Sequence, residues 1–565
     1  RDCAFEWCTG LNKINVASTN KRYTSVDGVL YNKEKTEIIR YPISCQGESF
    51  IFPDSVTEIG DGAFIGCKGL TSIEIPDSVT EIGDCAFEWC TGLTSTEIPD
   101  SVTEIGDCAF EWCTGLTSIE IPDSVTEIGD DAFNGCTGLK YVEIPNSVTN
   151  IGYKSFAYCT ELKSIKIGDG VTEIIKNPFE GCTELTEIKI GSGVTSIAAF
   201  IFRDCIGLTE INVDTENESY TSIGGVLYNK DKSKIIRYPS SHQGETFIIP
   251  NSVTRIGNWA FDGCTGLASI EIPDSVTEIG EGAFSGCTGL TKIEIPDSIT
   301  EICKYAFKGC TGLTEIEIPN SVTEIGDHAF DGCTGLKSIE IPDSVTSIRD
   351  CAFKGCKGLT EIEIPDSVTK IRWSVFRGCT ELTEINVEPN NKHYTSIDGV
   401  LYNNDKSEII RYPISHKEES FIIPDSVTKI GDDAFMGCTG LTSIEIPDSV
   451  TEIGNFAFEG CTGLTEIEFP DSVTKIGDYA FKGCTGLTRI EIPNSVKEIG
   501  WDAFRGCTGL REIHIRLRDI SKIIDESIFE GVCKEQCTLY VPIGKGYAYR
   551  HHPVFKDFPN IVPER

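Results

Sequence analysis

Cysteine is the side chain in this sequence with the widest chemical reach, as nucleophile, metal ligand or disulfide partner, and its spacing argues against all three roles. Of 26 cysteines, 18 stand three residues after a recurring Phe, from Cys8 through Cys67, Cys136 and Cys310 to Cys507. Cys533 is a slightly shifted nineteenth; Cys3, Cys85, Cys108 and Cys351 precede the Phe by two, and Cys45, Cys303 and Cys537 lie elsewhere. A disulfide framework would show varied spacings, and zinc sites would show Cys-x-x-Cys pairs with His; neither pattern occurs. A cysteine locked to one position of every unit acts as a small buried hydrophobe, and this usage does not fix a redox compartment. The seven histidines are His242, His328, His393, His416, His514, His551 and His552, and none has a nucleophile and an acidic orienter at recognisable spacing. His551-His552 beside Cys533 and Cys537 could hold a metal, but a packed terminal cap explains them more simply. The glycines are turn residues rather than a phosphate loop. The expectation is a protein without catalysis, cofactor or metal.

Carboxylates are the second reactive class, and they fall into register. The residue before the last apolar position of each predicted strand is Glu74, Glu97, Glu120 and Glu143, then Lys166 and Lys189, then Asn212. It resumes as Glu271, Glu294, Glu317, Glu340 and Glu363, with Asn386 next, then Glu445, Glu468, Glu491 and His514. Like charges at strand spacing repel, so the column costs stability. An acidic track that binds basic peptide segments or a few divalent cations would give it a use. A solvated face copied by gene duplication is the favoured reading of the two, since every loop also carries Asp and Glu. Lys166 and Lys189 interrupt the column where Gly168 and Gly191 replace the usual Pro. A second candidate set is Tyr31, Arg40 and Tyr41, with counterparts Tyr228, Arg237, Tyr238 and Tyr402, Arg411, Tyr412. Tyr and Arg make interface anchors, and they also pack a hairpin onto its support.

The elements that position these residues follow from a 23-residue period. The anchoring Phe recurs from Phe64 to Phe202, from Phe261 to Phe376 and from Phe435 to Phe504, always in steps of 23. Such a period is the signature of a leucine-rich-repeat solenoid. In Leu116–Gly138, Leu116, Ile119 and Ile121 alternate with Ser118 and Glu120, predicting a short strand. Pro122 ends its ladder and Asp123-Ser124 turn the chain. Val125 and Ile128 are apolar in the return segment. Asp130 is then an expected N-cap for one helical turn carrying Ala132, Phe133 and Cys136, with Gly138 as its left-handed stop. No unit buries this set alone; stacking does.

Steps of 59 separate Phe5 from Phe64, Phe202 from Phe261 and Phe376 from Phe435, so three repeats are enlarged, near residues 17–50, 214–247 and 388–421. Each insert reads as two β segments, GVLY and the EIIRY type, around a polar turn such as Asn32-Lys33-Glu34-Lys35: a hairpin folded on the solenoid's flank or standing off it. The inserts keep phase, so strand pairing is expected to run through them. Counting strands from Val16 to Val541 gives 22, an arc of roughly 100 Å at ~4.8 Å per strand. The expected organisation is a solenoid over residues 1–541 and a C-terminal cap over 542–565. Net charge of −38 disfavours nucleic acid and anionic membranes, and basic proteins, cationic ligands or divalent cations complement it; solubility alone also explains it. No apolar run reaches membrane-spanning length. The chain begins mid-unit at Arg1 without Met, as a fragment or a processed chain would.

The pattern LxxIxIPxSVTxIGxxAFxGC in units such as Leu313–Gly335 and Leu441–Gly463, with the DGVLYN…IIRYP insert and the Leu539-Tyr540-Val541-Pro542 ending, resembles the BspA-like leucine-rich repeat. The resemblance implies an α/β repeat fold. This is a right-handed solenoid with a parallel β-sheet on its concave face, short helical or 3-10 turns and loops elsewhere, and three β-hairpin inserts. It implies a secreted or surface protein, extracellular in location, of a host-associated bacterium or parasitic protist. It carries no catalytic motif. The leading expectation is adhesion or protein–protein binding to a host matrix protein, a cell-surface protein or another copy of the chain, with no membrane insertion in this segment. The alternatives are a structural protein stacking end to end into a fibre or surface layer and, more remotely, a secreted hydrolase.

Overall fold

The computed structural model describes residues 5–564 apart from 6, 7, 46, 521, 522 and 524; Cys3 lies outside the described residues. The chain divides into two compact units, one of residues 1–268 with 275–287 and one of 269–274 with 288–565. Both are built from coils that pass hydrogen bonds to their neighbours on three sides.

The first side is the predicted strand. Ser118–Glu120 pairs parallel and in register with Ser95–Glu97, which pairs with Ser72–Glu74. The second side is a two-residue strand in the return segment: Glu127–Ile128 lies between Glu104–Ile105 and Asn150–Ile151. This shorter ladder was not expected. Two expected long strands, at 11–16 and 336–341, form no ladder among the described residues.

The third side overturns the expected helical turn. Residues 130–135 are consecutive turns. The amides of Asp131, Phe133 and Gly135 donate to the carbonyls of Tyr153, Ser155 and Ala157 in the next coil, at 2.7, 2.7 and 2.8 Å. Those of Ala132, Asn134 and Cys136 stay within their own coil, on the carbonyls of Gly129, Asp131 and Phe133. Asp131 at φ 55° and Gly135 at φ 71° make this alternation by turning every second peptide toward the neighbour. Asp130 therefore caps no helix: its carboxylate accepts from the amide of Tyr153 one coil on, as Asp107 does for Asp130.

Gly138 is not the left-handed stop; Gly135 holds that conformation. Glycine is required at 138 by close approach, because a Cβ there would stand 2.9 Å from the carbonyl oxygens of Leu116 and Thr114 in the preceding coil. The same position gives an internal control in the second unit. A Cβ on Gly509 would lie 2.2 Å from the Thr485 carbonyl, whereas one on Gly440, the first such glycine after an insert, would meet nothing within 4 Å. Neither has a positive φ. Gly509→Ala should cost about 1–3 kcal/mol and Gly440→Ala less than about 0.5 kcal/mol, read as urea midpoints; equal shifts would refute the steric account.

Leu116, Ile119, Ile121, Val125, Ile128, Ala132, Phe133 and Cys136 are all buried. The Phe rings form a continuous stack, with centroids 5.1 Å apart from Phe64 to Phe87 and from Phe87 to Phe110, then 5.3 Å to Phe133. The recurring cysteine does more than fill space: the thiols of Cys90, Cys113 and Cys136 each donate to the carbonyl of the Phe 26 residues earlier, at 3.1 Å. A small side chain with a single weak donor suits a buried site facing one orphan carbonyl. The described cysteines are free thiols. Cys85 and Cys108 depart from the packing expectation: they stand in neighbouring coils on the turn side and are only half-buried, while Cys351 at the same position is buried.

The inserts have three strands rather than two. Tyr23–Val26 pairs antiparallel with Val29–Asn32, which pairs antiparallel with Glu37–Arg40, and Glu37–Arg40 then runs parallel to Glu58–Ile59. The third strand is thus the first rung of the short ladder, so the insert folds into the flank. The inserts beginning at Tyr220 and Tyr394 repeat this arrangement. Strand pairing does not run through them. In the first unit the long ladder stops at Glu210–Val213, where the amide of Ile211 turns to the carbonyl of Gly225 in the hairpin turn, at 2.8 Å. The short ladder stops at Ser196–Ile197, where the Ile197 amide meets the hydroxyl of Tyr220 at 3.1 Å. Ile385 with Gly399, and Ile371 with Tyr394, do the same in the second unit. Past Pro542, the helix Gly546–His551 is followed by Asn560–Glu564, which pairs parallel with Thr538–Pro542 and adds one more rung.

Candidate protein-binding face

On the long ladder, alternation turns Ile119 inward and leaves Ser118 and Glu120 exposed. Strict register stacks Glu74, Glu97 and Glu120 directly beside one another, with Ser72, Ser95 and Ser118 as a parallel column. The three carboxylates have no cationic partner among the described residues. The column then changes character. Lys166 sits beside Glu143 with its Nζ 2.6 Å from Oε1, and the Tyr141 hydroxyl donates to the other oxygen at 3.0 Å. These two contacts hold the Glu143 carboxyl below its ordinary range, Lys166 having the larger effect. Lys189 pairs with Glu187 at 3.2 Å.

In the second unit Glu294 and Glu317 are neighbours in register, with Lys292 3.3 Å from Glu294. Glu271, Glu340, Glu363, Glu445 and Glu468 are exposed on their own coils. Glu491 is different: Arg489 and Arg516 clamp it at 3.2 and 2.9 Å. His514, next in that column, is buried, bonds Glu564 at 2.9 Å and stacks on Tyr540 with 4.3 Å between centroids. That end of the column packs on Thr538–Pro542 and Asn560–Glu564.

The hairpin candidates are not on the surface. Tyr31, Arg40, Tyr41, Tyr228, Arg237, Tyr238, Tyr402, Arg411 and Tyr412 are all at most 4 % exposed. At an insert no anchoring Phe of the preceding coil is stacked on the next one among the described residues, and Tyr41, Tyr238 and Tyr412 supply the parallel ring, stacking on Phe64, Phe261 and Phe435 at 5.3, 5.0 and 5.1 Å. The arginines satisfy turn carbonyls: Arg237 donates to those of Trp259 and Asp262 at 2.6 and 2.9 Å. Burial pushes the Tyr31 and Tyr228 hydroxyls up to about 12.

Three exposed isoleucines escaped the sequence reading. Ile51, Ile248 and Ile422 are 88, 66 and 70 % exposed and hold the Glu position on the first long strand after each insert. Ile51 is in register with Glu74 and Ile422 with Glu445. Their signal was present in the text of the repeat, where SFIF, TFII and SFII replace SIEI. Among the described residues no group of three or more His, Cys, Asp or Glu is placed to hold a metal ion, so Cys533, Cys537, His551 and His552 do not assemble into one. No described helix is long and apolar enough to cross a membrane.

No curated protein matches the chain. A leucine-rich cell surface protein of Faecalibacterium prausnitzii A2-165, known from a crystal structure, is 38% identical over 66% of this chain and 96% of that one, with a TM-score of 0.51. A leucine-rich repeat protein of T. pallidum is 32% identical over 34% of this chain and 91% of that one, with a TM-score of 0.29. One from Eubacterium ventriosum ATCC 27560 is 23% identical over 66% and 97%, with a TM-score of 0.43. The model of the BspA type leucine-rich repeat region matches residues 41–160, 103–236, 237–331, 300–418 and 415–535. The chain belongs to the BspA-type leucine-rich-repeat family.

Proposed function

We propose that the chain is a non-catalytic surface or secreted binding protein whose long-ladder face takes a basic segment of a protein ligand. The observation that carries this reading is the stack of Glu74, Glu97 and Glu120, exposed, in register and without cations, beside the apolar Ile51. Such a stack repels itself, and a ligand bringing Lys or Arg side chains relieves the repulsion while Ile51 offers an apolar contact. The 38%-identical cell surface protein supports the proposed location.

The test is binding of the purified chain to a panel of immobilised extracellular-matrix proteins, followed by Glu97→Lys/Glu120→Lys. Saturable binding that weakens at least about tenfold in the variant, and that falls with added salt, is the expected result. Indifference to the two substitutions would reject this face, and no binding to any of the panel would reject the adhesive reading.

A further inference from the structure

In the second unit, the insert beginning at Tyr394 opens a cleft of about 470 Å³ against the coil before it and the coil after it. The volume lies within the ~300–1,000 Å³ of small-molecule sites. At the insert beginning at Tyr23 the equivalent place is open, at about 630 Å³, but lined by Val16, Ala17 and Ile14 beside Glu37, Arg40 and Asp61. At the insert beginning at Tyr220 it is occupied by the rings of Phe200 and Trp259, 5.2 Å apart. In the cleft those two positions are Ser374 and Asp433, whose hydroxyl and carboxylate bond each other on the floor. Arg372 and Trp373 stand where the first unit has Ala198 and Ala199. The replacements thus remove bulk from the floor and add a cation and an aromatic ring at the rim.

The lining is chemically unlike the rest of the chain. It contains Arg372, Arg377, Arg411 and Lys429 against Glu408, Asp432 and Asp433, in a sequence with 49 basic and 87 acidic residues. Lys429 and Arg377 are committed to Glu408 and Glu459, at 2.8 and 3.7 Å. Arg411 is committed to the carbonyls of Asp433 and Met436. Arg372 is exposed and has no ion pair among the described residues, and Trp373 beside it is 48 % exposed. On the floor, Asp433 is 3 % exposed, yet its Oδ1 has no hydrogen-bond partner; Arg411 Nε also lacks one, as Arg237 Nε does at the insert filled by Phe200 and Trp259, so the carboxylate oxygen is what distinguishes this cleft. Orphaned buried polar atoms beside a cavity are the exception in folded proteins and call for an explanation.

These features select among ligands. A bare carboxylate or phosphate offers only acceptors and meets the charge of Asp432, Asp433 and Glu408. An apolar molecule leaves the polar lining unmatched. A hydroxylated ring both donates and accepts, its C–H face fits the negative face of an indole, and a carboxylate on that ring finds the Arg372 fork. We propose that this cleft binds a sugar ring carrying a carboxylate, with Trp373 as the stacking platform and Arg372 as the partner of the anion. The site is independent of the protein-binding face.

The experiment is titration of the whole chain with D-glucuronic acid and with N-acetylneuraminic acid, followed by saturation-transfer NMR and calorimetry, with D-glucose, acetate and a tetraglutamate peptide as comparators. At least one acidic sugar is expected to bind saturably and about tenfold more tightly than glucose or acetate. Arg372→Ala and Trp373→Ala replace exposed side chains, so the fold should persist by circular dichroism, and each should weaken binding at least about tenfold. Three results would overturn the proposal: no saturable binding of either acidic sugar, equal binding of glucose or acetate, or variants that bind like the parent. Tighter binding of tetraglutamate would reassign the cleft to acidic peptides and overturn it too.

Discussion

Phe481→Ala is expected to remove about 3–5 kcal/mol of stability, the range for truncating a buried aromatic side chain. Phe481 is fully buried and stacked between Phe458 and Phe504, at 5.0 and 5.2 Å, with the edge of Phe469 at 5.4 Å. Its loss leaves a cavity that the coils cannot close, because the amides beside it are bonded rung to rung: Phe481 itself donates to the carbonyl of Ala503 at 2.7 Å. The measurement is urea unfolding followed by circular dichroism, with hydrogen exchange to locate the weakened coils. A midpoint unchanged within error would refute the stacked core.

Alkali should unfold the protein through its cysteines. Burial pushes the thiols of Cys159, Cys205, Cys379, Cys438 and Cys507 from an ordinary value of 9.0 up to about 12. Those of Cys90, Cys113, Cys136, Cys461 and Cys484 are likewise raised well above it by burial. The unfolded chain releases these protons near pH 9 and the folded chain holds them. Their contribution to stability is therefore complete below pH 9 and is lost as pH rises from 9 toward 12. Each such thiol accounts for about 4 kcal/mol by the top of that window, so several together exceed the stability of an ordinary domain. Thermal melts should be flat from pH 7 to 8.5 and collapse above pH 10, with a shallower fall in Cys461→Ala/Cys484→Ala. Thiol reagents at pH 8 should reach the exposed Cys8 and Cys533 and the half-buried Cys45, Cys85, Cys108 and Cys303 before the buried set. Melts indifferent to pH across 9–11 would contradict the burial of the thiols.

The inward positions were legible because one sequence feature controls each of them. Leu, Ile, Val, Phe and Cys recur at fixed offsets, and a residue that recurs in every coil faces the same neighbours in every coil. The turn side was misread for a specific reason. Asp130, Ala132 and Gly138 have the composition of a capped helical turn, and local propensity cannot see that a carbonyl of the next coil stands within reach of every second amide. The insert residues failed differently: Tyr41 and Arg40 have the same side chains whether they meet a partner or replace a missing rung, and only the break in the Phe stack decides between them. Ile51, Ile248 and Ile422 break the repeat in plain text, as SFIF, TFII and SFII in place of SIEI, but an apolar residue on an outward strand position has no meaning until the exposed glutamates beside it are placed. The cleft beside Trp373 could not be read at all. It depends on Ser374 and Asp433, 59 residues apart, becoming neighbours while the insert between them is folded aside.

The break that each insert makes in both ladders has a consequence during synthesis. A coil in the middle of an array needs an earlier coil to receive the amides of its return segment, as Ile105 receives that of Gly129, and to cover its Phe. The coil that follows an insert finds both within its own segment: Glu408–Arg411 is a ready rung for Lys429–Ile430, and Tyr412 covers Phe435. An insert with the coils after it can therefore begin to order as it leaves the ribosome, without waiting for the preceding coils to settle, and growth continues one coil at a time in the direction of translation. Each insert is a starting point for folding, set where a long one-dimensional array would otherwise have to order from one end.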